Sequence, residues 1–227
     1  MEFKMTLDEA IKSRRSVRRY KEIPLSPEDI SALVGEIEAI NREGDLHFQL
    51  VTDEPLAFSG KMASYGKFLG VTNYIALVGK KCKDFDEKIG YYGERLVLFA
   101  GRLGLNTCWV ALTYKKIPSA FKVERGEHLA VVISIGYGRY RGVPRPSKTR
   151  EEVSNISSQS PEWFRLGVES ALLAPTAMNQ QKFYLTYLPD GRVKARAGIG
   201  FYTRMDLGIV KYHFEMSSGK DSLVWCD

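Results

Sequence analysis

The tripeptide Ser-Pro-Glu stands at residues 26–28 and again at 160–162, and each copy opens the same succession of helix, strand and helix. Serine at an N-cap followed by proline is a strong helix start, because proline's missing N–H and fixed φ cost a helix nothing at its first position. Val34 and Val168 lie at equal offsets from the two starts, and Phe48 and Leu50 match Phe183 and Leu185 after a slip of one residue. Gly93, Phe99 and Gly104 share their spacing with Gly208, Phe214 and Gly219. A chain that repeats one order of elements is expected to fold as two related halves, here 1–150 and a shorter 151–227, packed intimately on one another. A chain of 227 residues can bury roughly 70% of its unfolded surface, enough for two such halves to share a core.

Local signals fill in the halves. Thr6-Leu7-Asp8-Glu9 reads as a capping box, with Leu7, Ala10 and Ile11 along one helical face. The helix after Ser26 sets Ile30, Leu33, Val34, Ile37 and Ile40 on the 3.6-residue period. His47–Val51 and Tyr74–Gly79 read as strands, and Asp84–Leu103 as the longest helix, stopped by Gly104. A strand near Thr107–Val110, a short helix from Pro118 and a β-branched strand over Leu129–Ile135 follow. Gly136–Ser160 is rich in Gly, Pro and Ser, and structureless stretches of that length usually serve a function or a connection. Beyond it come a helix to Leu173, a hairpin of Phe183–Leu188 and Val193–Ala197 around Pro189-Asp190-Gly191, and a last helix over Asp206–Met216 closed by Gly219.

Composition narrows the function. With 44% hydrophobic and 26% charged residues the chain is that of an ordinary globular protein. The net charge of +6 suits anionic ligands as well as an unremarkable basic surface. Cys82, Cys108 and Cys226 are odd in number and far apart, and form neither a CxxC nor a zinc pattern with His47, His128 and His213. The three histidines, in strand- or helix-like contexts, are expected to be structural. The N-terminus lacks the apolar stretch of a signal peptide, and no run approaches the roughly 18 apolar residues of a membrane span. A reducing, cytoplasmic setting with no membrane partner is expected.

Two segments carry chemistry. Arg14, Arg15, Ser16 and Arg18 place three cations and a hydroxyl within five residues, just past a helix end. Guanidinium forks match phosphate oxygens, and such charge-assisted bonds contribute about 1.5–3 kcal/mol each. The other segment is Ala174-Pro175-Thr176-Ala177-Met178-Asn179-Gln180-Gln181. Its small side chains allow close backbone approach, and Asn179 and Gln181 offer donors and acceptors for the edge of a heterocycle. Between the two, Arg139, Arg141, Arg145, Lys148 and Arg150 form a run without an acid, readable as a solvated linker or as a nucleic-acid contact. No GxGxxG follows a strand and opens a helix, so no Rossmann site for a resident dinucleotide is expected.

Together these segments resemble the flavin signatures of the nitroreductase family, FMN-dependent NAD(P)H oxidoreductases. Arg14, Ser16 and Arg18 match the family's Arg-x-Ser-x-(Arg/Lys) motif, with Arg15 between them. There the first Arg and the Ser take the phosphate and ribityl end, and the last cation approaches the N1/O2 side of the ring. Lys148 and Arg150 match a Lys-x-Arg pair that contacts phosphate. Pro175, Thr176, Ala177, Asn179 and Gln181 match a Pro-Ser-(Ser/Ala)-x-Asn-x-Gln segment that reaches the flavin from the partner subunit. Ala100-Gly101-Arg102-Leu103-Gly104-Leu105 matches the end of the family's dimer-core helix. The resemblance implies an α+β fold of mixed, mostly antiparallel sheets flanked by helices, one FMN per chain and NAD(P)H as a transient electron donor. It also implies a small-molecule acceptor such as a nitroaromatic or quinone, reduced in ping-pong fashion. A fixed guanidinium near N1 would stabilise the negative charge that reduction places there.

In the family the second segment follows the first closely, and a homodimer builds two composite sites. Here most of the chain separates them. Ile40–Gly44 stands where the first half would carry Pro-Ser-x-x-Asn, and Asn155–Gln159 where the second would carry Arg-x-Ser-x-Arg. The layout is similar to a branch of nitroreductases with two fused halves, and implies an internal pseudo-dimer with one complete FMN site, able to work as a monomer and requiring no nucleic acid. Two features depart from the family: Ala111-Leu112 falls where some members carry Glu-Gly, and Lys182-Phe183 replaces a Trp. The departures keep open a flavin-binding or sensing protein without turnover, and a basic nucleic-acid-binding protein is the more distant alternative.

Overall fold

A computed structural model describes residues 3–226, which fall into two compact units. The first comprises residues up to Phe85 together with Leu96–Pro144, and the second Asp86–Arg95 with Arg145 onward. The division at Pro144/Arg145 falls inside the Gly/Pro/Ser-rich segment.

In the first unit, α1 (Leu7–Ser13) starts at the capping box: Thr6 Oγ1 accepts the Glu9 N–H, and the Glu9 carboxylate accepts the Thr6 N–H. The next helix, α2 (Pro27–Gly44), starts at Ser26, whose Oγ accepts the Asp29 N–H, and buries Leu33, Ile37 and Ile40. The strands β1 (Gln49–Val51) and β2 (Tyr74–Lys80) follow, with the short helix α3 (Lys61–Tyr65) between them. Helix α4 (Phe85–Arg102) then leads into β3 (Asn106–Val110) and β4 (Glu127–Gly136). The sheet order is β1-β2-β4-β3, antiparallel throughout. Its central strand β2 is buried on both faces, which is why 74–79 reads as a continuous apolar run rather than an alternating one. Val17, Tyr20, Phe58, Tyr74, Ala76, Val78, Cys108 and Val132 belong to one buried cluster in this unit.

The second unit contains α5 (Arg150–Val153), α6 (Glu162–Leu173), β5 (Phe183–Tyr187), β6 (Val193–Ala197), α7 (Thr203–Ser218) and β7 (Trp225–Cys226). Strands β5 and β6 form the expected hairpin, and β7 adds to β6 in parallel, so both sheets together give the mixed, mostly antiparallel α+β fold. Phe164, Phe214 and Trp225 pack as a chain of aromatic contacts, with centroids 5.9 and 5.0 Å apart.

Within this unit the first half of α4 crosses α7 at two glycines. A Cβ on Gly90 would lie 2.0 Å from the Met205 carbonyl oxygen, and one on Gly208 would lie 1.9 Å from that of Glu87. The contacts are reciprocal: each glycine meets the carbonyl three residues before the other, and the backbone nitrogen just after it (Ile209 and Tyr91). The repeat in the sequence set Gly93 against Gly208; at the crossing it is Gly90, one turn earlier.

Three expectations change. No helix starts at Pro118; Ala120 N–H closes a turn onto Ile117 O, and Ile117, Ala120 and Phe121 pack on the first unit's core from that turn. The Gly136–Ser160 segment is not wholly structureless, because Thr149 caps α5 through a capping box with Glu152. The second Ser-Pro-Glu starts its helix differently from the first: Pro161 is the N-cap of α6, and Ser160 Oγ instead accepts the Ser157 N–H.

Candidate functional site

The Arg14–Arg18 segment leaves α1 with Arg14 in extended conformation, at φ −55° and ψ 126°. It is then laid beside β3 as an extra short strand. Ser16 pairs in parallel with Thr107, and the Val17 N–H donates to Thr107 O at 3.0 Å. Val17 is wholly buried, which fixes the rotation of the segment. Side chains alternate along extended backbone, so Ser16 and Arg18 flank the buried Val17 on the other side, half-buried and exposed respectively. Arg14 borders a hollow of about 80 Å³ together with Met5, Gly101, Asn106 and Thr107. Arg15 turns back: its Nη1 donates to Lys12 O at 3.0 Å and to Arg14 O at 2.7 Å, satisfying carbonyls at the end of α1. The Arg18 guanidinium lies 5.9 Å from the centre of the Phe68 ring. Two guanidinium groups and a hydroxyl on one short rigid strand are the donor set a phosphate or a flavin edge requires.

The Ala174–Gln181 loop belongs to the second unit and follows α6. Three of its residues hold left-handed backbone without being glycine: Met178 at φ 50°, Asn179 at φ 57° and Gln181 at φ 43°. Each such residue costs on the order of 1–2 kcal/mol, and persists only where the surroundings over-determine it. Those surroundings are explicit. Asp206, near the start of α7, accepts the Ala177 N–H on Oδ1 at 2.9 Å and Gln180 Nε2 on Oδ2 at 2.8 Å. Gln180 Nε2 also donates to Phe201 O. Thr176 Oγ1 accepts the Gln181 N–H at 3.0 Å. The buried Gln181 amide accepts the Lys148 N–H and donates to Ser147 Oγ and Leu172 O. Lys148 Nζ returns to Gln181 O at 2.9 Å, and Asn179 Nδ2 donates to Pro146 O at 2.8 Å. The result is a rigid projection whose tip, Met178, is 97% exposed.

The expected site residues therefore divide by unit. Arg14, Arg15, Ser16 and Arg18 lie together in the first. Lys148, Pro175, Thr176, Ala177, Asn179 and Gln181 lie together in the second. Arg150 stands somewhat apart on α5, with Nη1 2.9 Å from Glu169 Oε1 in an exposed ion pair. Thr176 Oγ1 is spent on the loop itself, and the Gln181 amide on Ser147, Lys148 and Leu172 beneath it.

Asp206 was not among the expected residues. Burial pushes its carboxyl up from 3.8 to about 6, against the opposing bonds from Ala177 and Gln180. An acid in the first turn of a helix is an ordinary sequence signal, but its partners lie 29 and 26 residues away.

Other polar groups serve the fold. His213 Nε2 is 2.9 Å from Glu94 Oε1 in a fully buried pair, and His47 Nδ1 is 2.8 Å from Glu127 Oε2. In the basic run, Arg139 Nε donates to Tyr20 O, so this cation is folded onto its own chain, as are Lys148 and Arg150. Among the described residues no cluster of His, Cys, Asp and Glu could hold a metal ion, and no helix is long and apolar enough to cross a membrane.

A family model described as "Putative TM nitroreductase" matches residues 6–218. Three solved structures, each described as a "putative nitroreductase", have a similar fold. That from Thermotoga maritima is 24% identical, with a TM-score of 0.68 over 96% of this chain and 85% of its own. That from Desulfovibrio desulfuricans, in complex with FMN, is 17% identical, with a TM-score of 0.53 over 70% of this chain and 99% of its own. That from Exiguobacterium sibiricum, also in complex with FMN, is 17% identical, with a TM-score of 0.52 over 69% of this chain and 99% of its own. No curated protein matches.

Proposed function

The chain belongs to the nitroreductase family of FMN-binding proteins, and we propose that it is an FMN-dependent NAD(P)H oxidoreductase acting on a small electrophile such as a nitroaromatic or quinone. The observation that carries the reading is the strained loop Met178–Gln181, held by Asp206 and Lys148, in a chain whose family match spans both signature segments. Backbone strain that the surroundings hold in place is characteristic of ligand-contacting loops.

The residues present fit the cofactor. Arg14 beside its hollow and Ser16 on the β3 edge would take the phosphate end, with Lys148 and Arg150 adding positive charge. Arg18 would face the pyrimidine edge. Pro175, Thr176, Ala177 and Asn179, on a loop that Gln181 shapes from beneath, would wall the ring. Arg15, already engaged at the end of α1, would support the segment. When bound, FMN would supply two-electron hydride chemistry between NAD(P)H and the acceptor. Arg18, fixed on a backbone bridged to Leu69 and Thr107, would hold positive charge in place without reorganising, which is what makes such a charge effective.

Both segments would serve the same FMN, one per chain, as in a pseudo-dimer of two family halves fused in one polypeptide. The reciprocal crossing of α4 and α7 at Gly90 and Gly208 supports this, because equal contacts exchanged between two elements are the mark of a two-fold relation. A flavin binder without turnover is favoured by Ala111-Leu112 alone. Anaerobic addition of NADPH or NADH separates the two: an enzyme bleaches the flavin absorbance and recovers it when an acceptor is added. A protein that keeps oxidised FMN under excess of both donors would be the passive binder.

A further inference from the structure

A second basic feature of the first unit adjoins the Arg14–Arg18 segment and shares Arg18 with it. Arg18, Arg19, Lys67 and Tyr140 line an open groove of about 320 Å³. Among the described residues it has three cations, one phenol and no acid in its wall. The size falls in the range of small-ligand clefts, at the lower end of about 300–1,000 Å³.

The walls are held by backbone bonds. Leu69 N–H donates to Arg18 O and Tyr20 N–H to Leu69 O, each at 2.9 Å, while Arg139 N–H donates to Arg19 O at 2.9 Å and Lys21 N–H to Tyr137 O at 2.8 Å. Three stretches, 18–21, 67–69 and 137–140, are thereby tied side by side. The cations they carry are presented by fixed backbone, so an anion binding there would face little ordering cost beyond the side chains.

Lys67 adds a separate observation. It sits just after α3 at φ +62°, a left-handed position where glycine or asparagine would be less strained, by roughly 1 kcal/mol in the case of glycine. Its side chain supplies one of the three cations of the lining. The nearby carboxylate of Glu22 pairs with Arg139 Nη2 at 3.4 Å and is not part of the lining.

We infer that this groove binds the 2′-phosphate end of the nicotinamide donor, with Arg19 and Lys67 on the phosphate and the Tyr140 ring beside the adenosine, so that the protein selects NADPH over NADH. Arg forks and a lysine point charge are the residues that recognise a phosphate dianion, and an aromatic face accepts a purine by stacking. The inference rests on the FMN-oxidoreductase reading, and its test separates the two.

Purified holoprotein is titrated calorimetrically with NADP⁺ and NAD⁺, oxidised forms that do not react with oxidised flavin and that differ only in the 2′-phosphate. NADP⁺ should bind at least tenfold more tightly, and the advantage should shrink as salt rises, because the groove is open to solvent. In the double variant Arg19→Gln, Lys67→Gln the advantage should fall to within about twofold, with NAD⁺ affinity and bound FMN unchanged. Equal affinities in the wild type, or an advantage that survives in the double variant, would overturn the inference and leave the FMN reading intact. Loss of FMN from the double variant would overturn it in another way, by making the groove the cofactor's own phosphate seat. A wild-type protein that holds no flavin at all would bring down the underlying reading, and the inference with it.

Discussion

In the Arg14–Arg18 segment the backbone provides the structure. Val17 is buried, its N–H is given to Thr107, and Arg18 is left exposed on a strand that would stand without it. In the Ala174–Gln181 loop the side chains provide it instead. Thr176, Lys148 and Asp206 direct polar atoms at loop backbone, the Gln180 and Gln181 amides tie the loop to Phe201, Asp206, Ser147, Lys148 and Leu172, and three residues are held in left-handed conformations. The difference teaches how the two regions should respond to change. Substitution of Arg14, Ser16 or Arg18 in the first should remove a ligand contact and leave the fold alone. The same kind of substitution in the second should alter shape, stability and binding together.

The largest expected effect tests the first half of that contrast. Arg14→Ala should weaken FMN binding about a hundredfold, equivalent to about 2.7 kcal/mol and within the range of charge-assisted phosphate contacts. The thermal midpoint should move by no more than a few degrees. Fluorescence titration of the apoprotein with FMN, beside a melting curve, measures both. Unchanged flavin affinity would remove Arg14 from the site.

Asp206 tests the second half. Its folded-state pKa is raised by burial from 3.8 to about 6, so the native state binds the proton more tightly than the unfolded chain does. Its contribution to stability is therefore full below about pH 4 and is lost as pH rises through about 6, to a total of about 3 kcal/mol. The loop clamp thus costs stability at neutral pH, as residues that serve a site rather than the fold often do. The difference in unfolding free energy between wild type and Asp206→Asn, measured in urea, should shift by up to that amount between pH 4 and 7. Parallel curves would contradict it. Asp206→Asn should also weaken FMN binding at pH 7.5, because one of the two oxygens that accept from Ala177 and Gln180 becomes an NH2 donor.

The smallest effect sharpens the boundary between the roles. Arg15→Ala removes the donors to Lys12 O and Arg14 O and should cost about 1 kcal/mol or less. FMN affinity should stay within twofold of wild type if Arg15 only supports α1. A loss comparable to that of Arg14→Ala would make it a ligand residue.

Much of the frame was legible because its signals are local. The Thr6/Glu9 capping box, the Ser26 N-cap, the apolar period of α2 and the glycines after α4 and α7 each act within a few residues. The helix expected at Pro118 failed for a related reason: a few residues cannot repay nucleation when Ile117 and Phe121 can pack from a turn. Thr149-Arg150-Glu151-Glu152 carries an equally local capping-box signal for α5, within the same residues that supply the Lys148 and Arg150 cations. The first site segment was readable as chemistry because its cations and hydroxyl lie within five residues, with Ser16 and Arg18 on either side of the buried Val17. The second was readable as a motif, but its strain and its dependence on Asp206 were not, since contacts across 26 and 29 residues leave no local pattern. The groove at Arg19, Lys67 and Tyr140 was invisible for the same reason, being built from three distant stretches.

The central claim, that the two segments serve one flavin in each chain, is tested most directly by the FMN content of the purified, FMN-saturated protein. Released flavin measured by absorbance against protein mass should give one FMN per chain, whatever the oligomeric state. Two per chain would mean that both halves hold complete sites, and none would mean that the segments do not form an FMN site at all.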